Sequence, residues 1–168
     1  MAYIRKVFLD ASALITWLLY PDKPEPVGER LSKYLKRPER QRYSNEPCLT
    51  EVLVRLKWMR RYNEITDAGY FIRIGSLKRR IEHKTLHISK FNYWEKKYTD
   101  RALQLTKNYQ NKIDFIDALQ IVDVLEGPFK IFLGPSRTLL ITTDRNLRDA
   151  AKAEGVDVWF PADEIEPD

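Results

Sequence analysis

The sequence predicts an α/β protein, a three-layer α/β/α sandwich built on a mainly parallel sheet of four or five strands. Three observations carry this reading. Two apolar runs, Val7-Phe8-Leu9 and Leu139-Leu140-Ile141, lead to aspartates (Asp10, and Asp144 after Thr142-Thr143) and then into helical patterns, the strand-turn-helix order of a parallel unit. Thr85-Leu86-His87-Ile88 and Val156-Asp157-Val158-Trp159 are two further short strand candidates. The intervening segments read as helices, and strands interleaved with helices form parallel sheets covered on both faces. With 168 residues, 43% of them hydrophobic, a single domain spanning 1–168 can bury a sizeable core. No repeat, low-complexity stretch or linker divides it.

The elements follow in order. After Asp10, Ala11-Ser12 opens an apolar stretch to Leu19 that Pro21 ends. A helix from Glu25 to Leu35 follows a Pro-rich turn. Past Pro47, Cys48 to Leu56 reads as an amphipathic helix with Leu49, Val52, Leu53 and Leu56 along one side. Glu51 falls away from that side, beside Val54 and Trp58, with Arg55 as its i,i+4 partner. Thr66 to Ile81 begins with a Thr-Asp cap signal, and Lys90 to Asn108 carries apolar residues near helical spacing. Ile113 to Leu125 places Asp114 and Asp117 three residues apart, within about 60° on one helix face, while Asp123 projects to the opposite side and reads as surface. The helix from Arg145 to Glu154 stops at Gly155. Gly127 to Arg137 is longer than the expected link before the next strand, an apolar loop suited to a partner surface or to folding onto the core.

Function is sought among the acids. Asp10 and Asp144 each stand at the carboxyl end of a strand, the edge where open α/β sheets bind ligands. Ser12 and Asp144 also fit as plain helix N-caps, and Glu51 as a first-turn acid favoured by the helix dipole. Asp10 resists so simple a reading, because an acid finishing a buried strand costs several kcal/mol, roughly, unless its charge is partnered. Asp114 and Asp117 repel one another unless a cation compensates them. Carboxylates without Cys or His company suit a hard, oxygen-seeking cation such as Mg²⁺ or Mn²⁺.

Four segments in this order resemble the PIN-domain family: F-L-D-A-S-A-L-I at Phe8–Ile15, L-T-E-V-L at Leu49–Leu53, I-D-F-I-D-A-L-Q-I at Ile113–Ile121 and L-I-T-T-D-R-N-L at Leu140–Leu147. No one segment is specific, but the resemblance covers nearly the whole chain. It implies a Mg²⁺- or Mn²⁺-dependent endoribonuclease leaving 5′-phosphate and 3′-hydroxyl ends, related to VapC-type toxins of toxin-antitoxin pairs. Carried over by position, the acids are Asp10, Glu51, Asp117 and Asp144, with Asp114 as an additional metal ligand. Asp10 and Asp117 are then direct ligands, Asp144 a ligand directly or through water, and Glu51 a ligand or the group orienting the attacking water. The small hydroxyl is Ser12, and the threonine ahead of the last acid is Thr142 or Thr143. The same resemblance implies an RNA substrate, an antitoxin partner and a homodimer.

Other classes are weighed beside it. A PIN-like RNA-binding or scaffold protein without activity is the main alternative, although retention of all four acids weighs against it. A HAD-type phosphatase needs an acid two residues after its first Asp, where Ser12 stands, and no P-loop pattern is present. Lys and Arg number 29 against 24 Asp and Glu, a net charge of +5, so basic surface around an acidic cleft suits a polyanion. Basic residues cluster at Lys33–Arg42, Arg55–Arg61 and Lys78–Arg80. Aromatic residues such as Trp58, Tyr62, Phe71 and Trp94 recur at helical spacings, where packing is the commoner role and base stacking the rarer one. His83 and His87 read as packing or surface residues. A single cysteine, Cys48, excludes an internal disulfide and reads as a core residue. The start lacks the apolar stretch of a signal peptide, and no run approaches membrane-spanning length, so the expectation is a cytoplasmic protein.

Overall fold

The structure, a computed structural model, describes residues 5–20, 22–110, 112–128 and 138–167. Its five strands are β1 (Arg5–Leu9), β2 (Arg40–Asn45), β3 (His87–Ser89), β4 (Thr138–Ile141) and β5 (Asp157–Trp159). They form one sheet in the order β3-β2-β1-β4-β5, every neighbouring pair parallel. Between them run α1 (Ala11–Leu19) and α2 (Pro26–Leu35), α3 (Glu46–Arg61) and α4 (Asp67–Glu82), α5 (Lys96–Asn108) and α6 (Phe115–Glu126), and α7 (Arg145–Ala153).

Strand order and handedness together set the layers. From β1 the chain steps outward to β2 and β3, then returns across β1 to β4 and β5. Right-handed crossovers in opposite directions put α1 to α4 on one face and α5 to α7 on the other. The packing agrees, since α1 lies against α2, α3 and α4 while α5 lies against α6. The sheet's middle is accordingly apolar on both sides: Val7, Phe8, Leu9, Leu140 and Ile141 have no exposed surface. The strand order reverses between β1 and β4, and their carboxyl ends open a crevice there.

Several expectations are corrected. β2 has no counterpart in the sequence reading, because Arg-Gln-Arg-Tyr-Ser-Asn carries no apolar alternation. It is held by neighbouring strands, and its Arg40 is buried over the ring of Tyr34, 4.8 Å from the centroid. The buried side of α3 is Cys48, Val52, Leu56 and Met59, whereas Leu53 is 42% exposed. Lys90 to Glu95 is not helical, and α5 begins at Lys96. Thr66 caps α4 as expected, and Gly155, with φ +84, ends α7 in the left-handed conformation that glycine adopts freely. His87 stacks on Tyr43, and Cys48 is buried. The apolar loop expected over 127–137 lies outside the described residues from 129 onward. Among the described residues no helix is long and apolar enough to cross a membrane.

Candidate functional site

The sheet's pairing runs one residue past β1 and β4, with the Asp10 amide donating to the Ile141 carbonyl of β4 and the Thr142 amide donating to the Trp159 carbonyl of β5. This fixes Asp10 and Thr142 side by side at the crevice floor. Asp10 is 3% exposed and is itself the N-cap of α1, accepting from the Ala13 amide at 2.7 Å; the expected cap, Ser12, is instead inside the helix. Two hydroxyls complete its shell: Ser12 Oγ donates to the carboxylate at 2.7 Å, and Thr142 Oγ1 donates to Oδ2 at 2.7 Å.

Each hydroxyl is in turn aimed by a backbone amide. Thr143 N–H donates to Ser12 Oγ at 2.9 Å and Asp144 N–H donates to Thr142 Oγ1 at 2.9 Å. The buried threonine of the pair, Thr142, therefore reaches Asp10, while Thr143 contributes its amide. A carboxylate held by three donors ought to be a strong acid, yet burial dominates and raises the Asp10 pKa to about 6, with the Asp117 charge adding to the rise.

The other acids approach from helices on both faces. Asp117 is half-buried near the start of α6 in a capping box with Asp114: the Asp117 amide donates to Asp114 Oδ1 at 2.9 Å, and the Asp114 amide to Asp117 Oδ2 at 3.1 Å. Asp114 is thus the cap of α6 and not a residue of its face. Burial raises the Asp117 pKa to about 7, helped by the charges of Asp114, Asp144 and Glu51. Glu51 sits on α3, its pKa raised first by partial burial and then by the charges of Asp10, Asp114 and Asp144. Asp144 caps α7, its Oδ1 accepting from the amides of Asn146 at 2.7 Å and Leu147 at 3.1 Å.

The five sequence-identified acids are therefore linked electrostatically around the crevice, with Glu51 and Asp117 each within reach of the other four. The donor chemistry, carboxylates with flanking hydroxyls, fits a hard divalent cation. As the side chains stand, no group of three or more His, Cys, Asp or Glu among the described residues is arranged to hold a metal ion. The cause is visible in the hydrogen bonds: Asp10, Asp114, Asp117 and Asp144 each direct a carboxylate oxygen at a helix-start amide. Asp117 and Asp144 each use only one oxygen in this way, Oδ2 and Oδ1 respectively.

No family model matches the chain, and no curated protein matches it. Among solved structures it is similar to the crystal structure of PAE2754 from Pyrobaculum aerophilum, with a TM-score of 0.59 over 92% of this chain and 84% of that one, at 17% sequence identity. The likeness is one of fold.

Asp123, expected at the surface, is fully buried. Its Oδ2 accepts from Asn45 Nδ2 and from the Tyr93 hydroxyl, both at 3.0 Å, while its buried Oδ1 has no hydrogen-bond partner among the described residues. Burial raises its pKa to about 6. Asn45 also caps α3, its Oδ1 accepting from the Cys48 amide at 3.0 Å. Both residues were legible: Asn45 precedes Glu46-Pro47, a helix-start signal, and Asp123 interrupts Ile121-Val122-Val124-Leu125, a helix apolar on every side and therefore buried. Arg55, expected to pair with Glu51, pairs with Glu64 at 3.5 Å.

Proposed function

We propose that the protein is a Mg²⁺- or Mn²⁺-dependent endoribonuclease that hydrolyses RNA phosphodiester bonds at this acidic crevice. The observation that supports it is the convergence of Asp10, Glu51, Asp117 and Asp144, from two strand ends and two helices: burial chiefly raises the pKa values of Asp10, Glu51 and Asp117, and the charge of at least one other acid of the set adds to each. Carboxyls forced together against their own repulsion, at the edge where parallel sheets bind ligands, suit a cation bound with a polyanion. Asp10, Asp117 and Asp144 hold the metal in this reading, with Glu51 and Asp114 around it. Bound there, the cation supplies an activated water and neutralises charge on the scissile phosphate.

The chain's own residues do the rest. Ser12 and Thr142 keep the Asp10 carboxylate in one orientation, and the Thr143 and Asp144 amides keep those hydroxyls from turning. Glu51 stands on the open side, where it orients a water toward the phosphorus. A role as the toxin of a toxin-antitoxin pair, with an antitoxin partner, a homodimer and a cytoplasmic location, rests on the resemblance to the PIN-domain family alone.

One observation favours a second reading. Because no three acids among the described residues stand arranged to hold a metal, a PIN-like RNA-binding protein without activity is the alternative. The experiment is cleavage of a mixed RNA pool by wild type and Asp10→Asn with Mg²⁺, with Mn²⁺ and with EDTA, mapping the ends produced. Metal-dependent cutting that the mutant loses is expected. RNA binding by both proteins without cutting under any metal hands the lead to the second reading.

A further inference from the structure

A groove of about 340 Å³ opens directly beside the acids, lined by Ser12, Ile15, Glu51, Val54, Arg55 and Trp58. One end belongs to the crevice, since Ser12 donates to Asp10 and Glu51 is among the converging carboxyls. The other end is an indole. Trp58 is 40% exposed, although the buried side of α3 is complete without it in Cys48, Val52, Leu56 and Met59. It is braced rather than loose: Tyr62 stacks on it at 5.4 Å with 9° between the planes, and the Arg61 guanidinium lies 5.3 Å from the ring centre. Arg55, on the groove wall, makes a half-exposed pair with Glu64 at 3.5 Å, which a phosphate can displace at little cost.

We propose that this groove seats one nucleotide of a single-stranded substrate, its base against the Trp58 indole that Tyr62 braces from outside the groove and its phosphate toward Arg55. The inference rests on the nuclease reading of the acids and names the part of the substrate that reading leaves open. Trp58 follows Glu51 by seven residues on one helix, about 10 Å along its axis, which a strand covers in about three nucleotides. The seated base therefore lies within about three positions of the bond to be cut. Size agrees, since the groove is at the small end of ligand sites, near 300 Å³, roughly, where a single nucleotide fits and a duplex does not. A paired base also has no free face to offer an aromatic ring, so the platform selects unpaired strand. Stacking reads the π-face that all bases share, so this subsite chooses single-strandedness more than sequence.

The test is anisotropy of a fluorescein-labelled, mixed-sequence oligoribonucleotide with the full chain, in EDTA and again in Ca²⁺, for wild type, Trp58→Ala and Trp58→Phe. Expected is a loss of affinity of about 10-fold in Trp58→Ala and only about 2-fold in Trp58→Phe. An abasic strand of the same length separates stacking from a structural effect: wild type and Trp58→Ala should bind it equally. Equal affinity of wild type and Trp58→Ala for the RNA overturns the inference, as does an equal loss on the abasic strand. A change in molar mass by light scattering in Trp58→Ala, with RNA affinity intact, overturns it in favour of a protein-protein face. Wild type that cuts RNA while Trp58→Ala binds normally sinks this subsite alone, whereas wild type that neither binds nor cuts sinks the nuclease reading with it.

Discussion

Asn45 and Asp123 are joined through the core, the amide of one donating to the carboxylate of the other at 3.0 Å. Asn45 begins α3, which carries Glu51, and Asp123 lies on α6, which carries Asp117, so one hydrogen bond ties together two helices of the candidate site.

Breaking that tie should be expensive from either side. Asp123→Leu strands the Asn45 amide and the Tyr93 hydroxyl in the core and is expected to cost about 2–4 kcal/mol in urea denaturation. The exchange Asn45→Asp with Asp123→Asn restores donor and acceptor in reversed order and should recover at least half of what the single exchanges lose. A double variant no better than the sum of its parts would show the two side chains to be energetically independent.

The acids should make the protein more stable in mild acid than in base. Asp10, Asp117 and Asp123 titrate near 6, 7 and 6 in the folded chain. All three values lie above those of an unfolded chain, so the folded state holds protons that the unfolded state has released, and stability falls as pH rises from about 4 to 7. Asp117→Asn is therefore expected to stabilise the protein by about 1–3 kcal/mol at pH 8 and to change little near pH 4. Thermal unfolding across pH checks this; a variant less stable than wild type at pH 8 would mean that neither burial nor the neighbouring charges strain the ionised Asp117.

Thr142 links both strand-end acids, donating to Asp10 and accepting from the Asp144 amide. Thr142→Val keeps the shape and removes both bonds. It should cost about 1–3 kcal/mol and raise the Asp10 pKa further, because burial remains while a stabilising donor is gone. Carboxyl carbon shifts followed by NMR titration report this directly, and an unmoved Asp10 midpoint would contradict the role given to the hydroxyl.

Gly127 ends α6 where no side chain fits. A Cβ there would stand 2.5 Å from the Asp123 carbonyl oxygen and 2.6 Å from its Oδ1. Gly127→Ala must therefore displace both the helix end and the buried carboxylate, with an expected loss of about 1–3 kcal/mol. Equal stability of variant and wild type in urea would mean that the helix end and the Asp123 side chain both yield freely.

How much of this was legible in the chain depends on what each residue answers to. The apolar runs before Asp10 and Asp144 and the capping signals of Thr66 and Asp144 are local, and they read correctly. So did the placing of Glu51 beside Val54 and Trp58, which helical spacing alone dictates and the groove confirms. β2 could not be read, because its Arg and Gln residues owe their strand conformation to neighbours on both sides rather than to their own pattern. Asp123 was misplaced for a different reason: projection from Asp117 was weighed alone, while the apolar residues on every side of it, Ile121, Val122, Val124 and Leu125, already marked a helix covered all round. The pairing of Arg55 with Glu64 is a tertiary choice that i,i+4 spacing does not contain.

The two margins of the sheet, β3 and β5, are only three residues long each. A strand that short exposes too few free amides and carbonyls to template the addition of a foreign strand, a safeguard against edge-to-edge aggregation. It also limits how the molecule can meet others. Extension of the sheet across a subunit boundary is disfavoured at such short edges, so contacts made by side chains are the easier route to assembly, and there a single substitution can weaken contact without touching the backbone ladder.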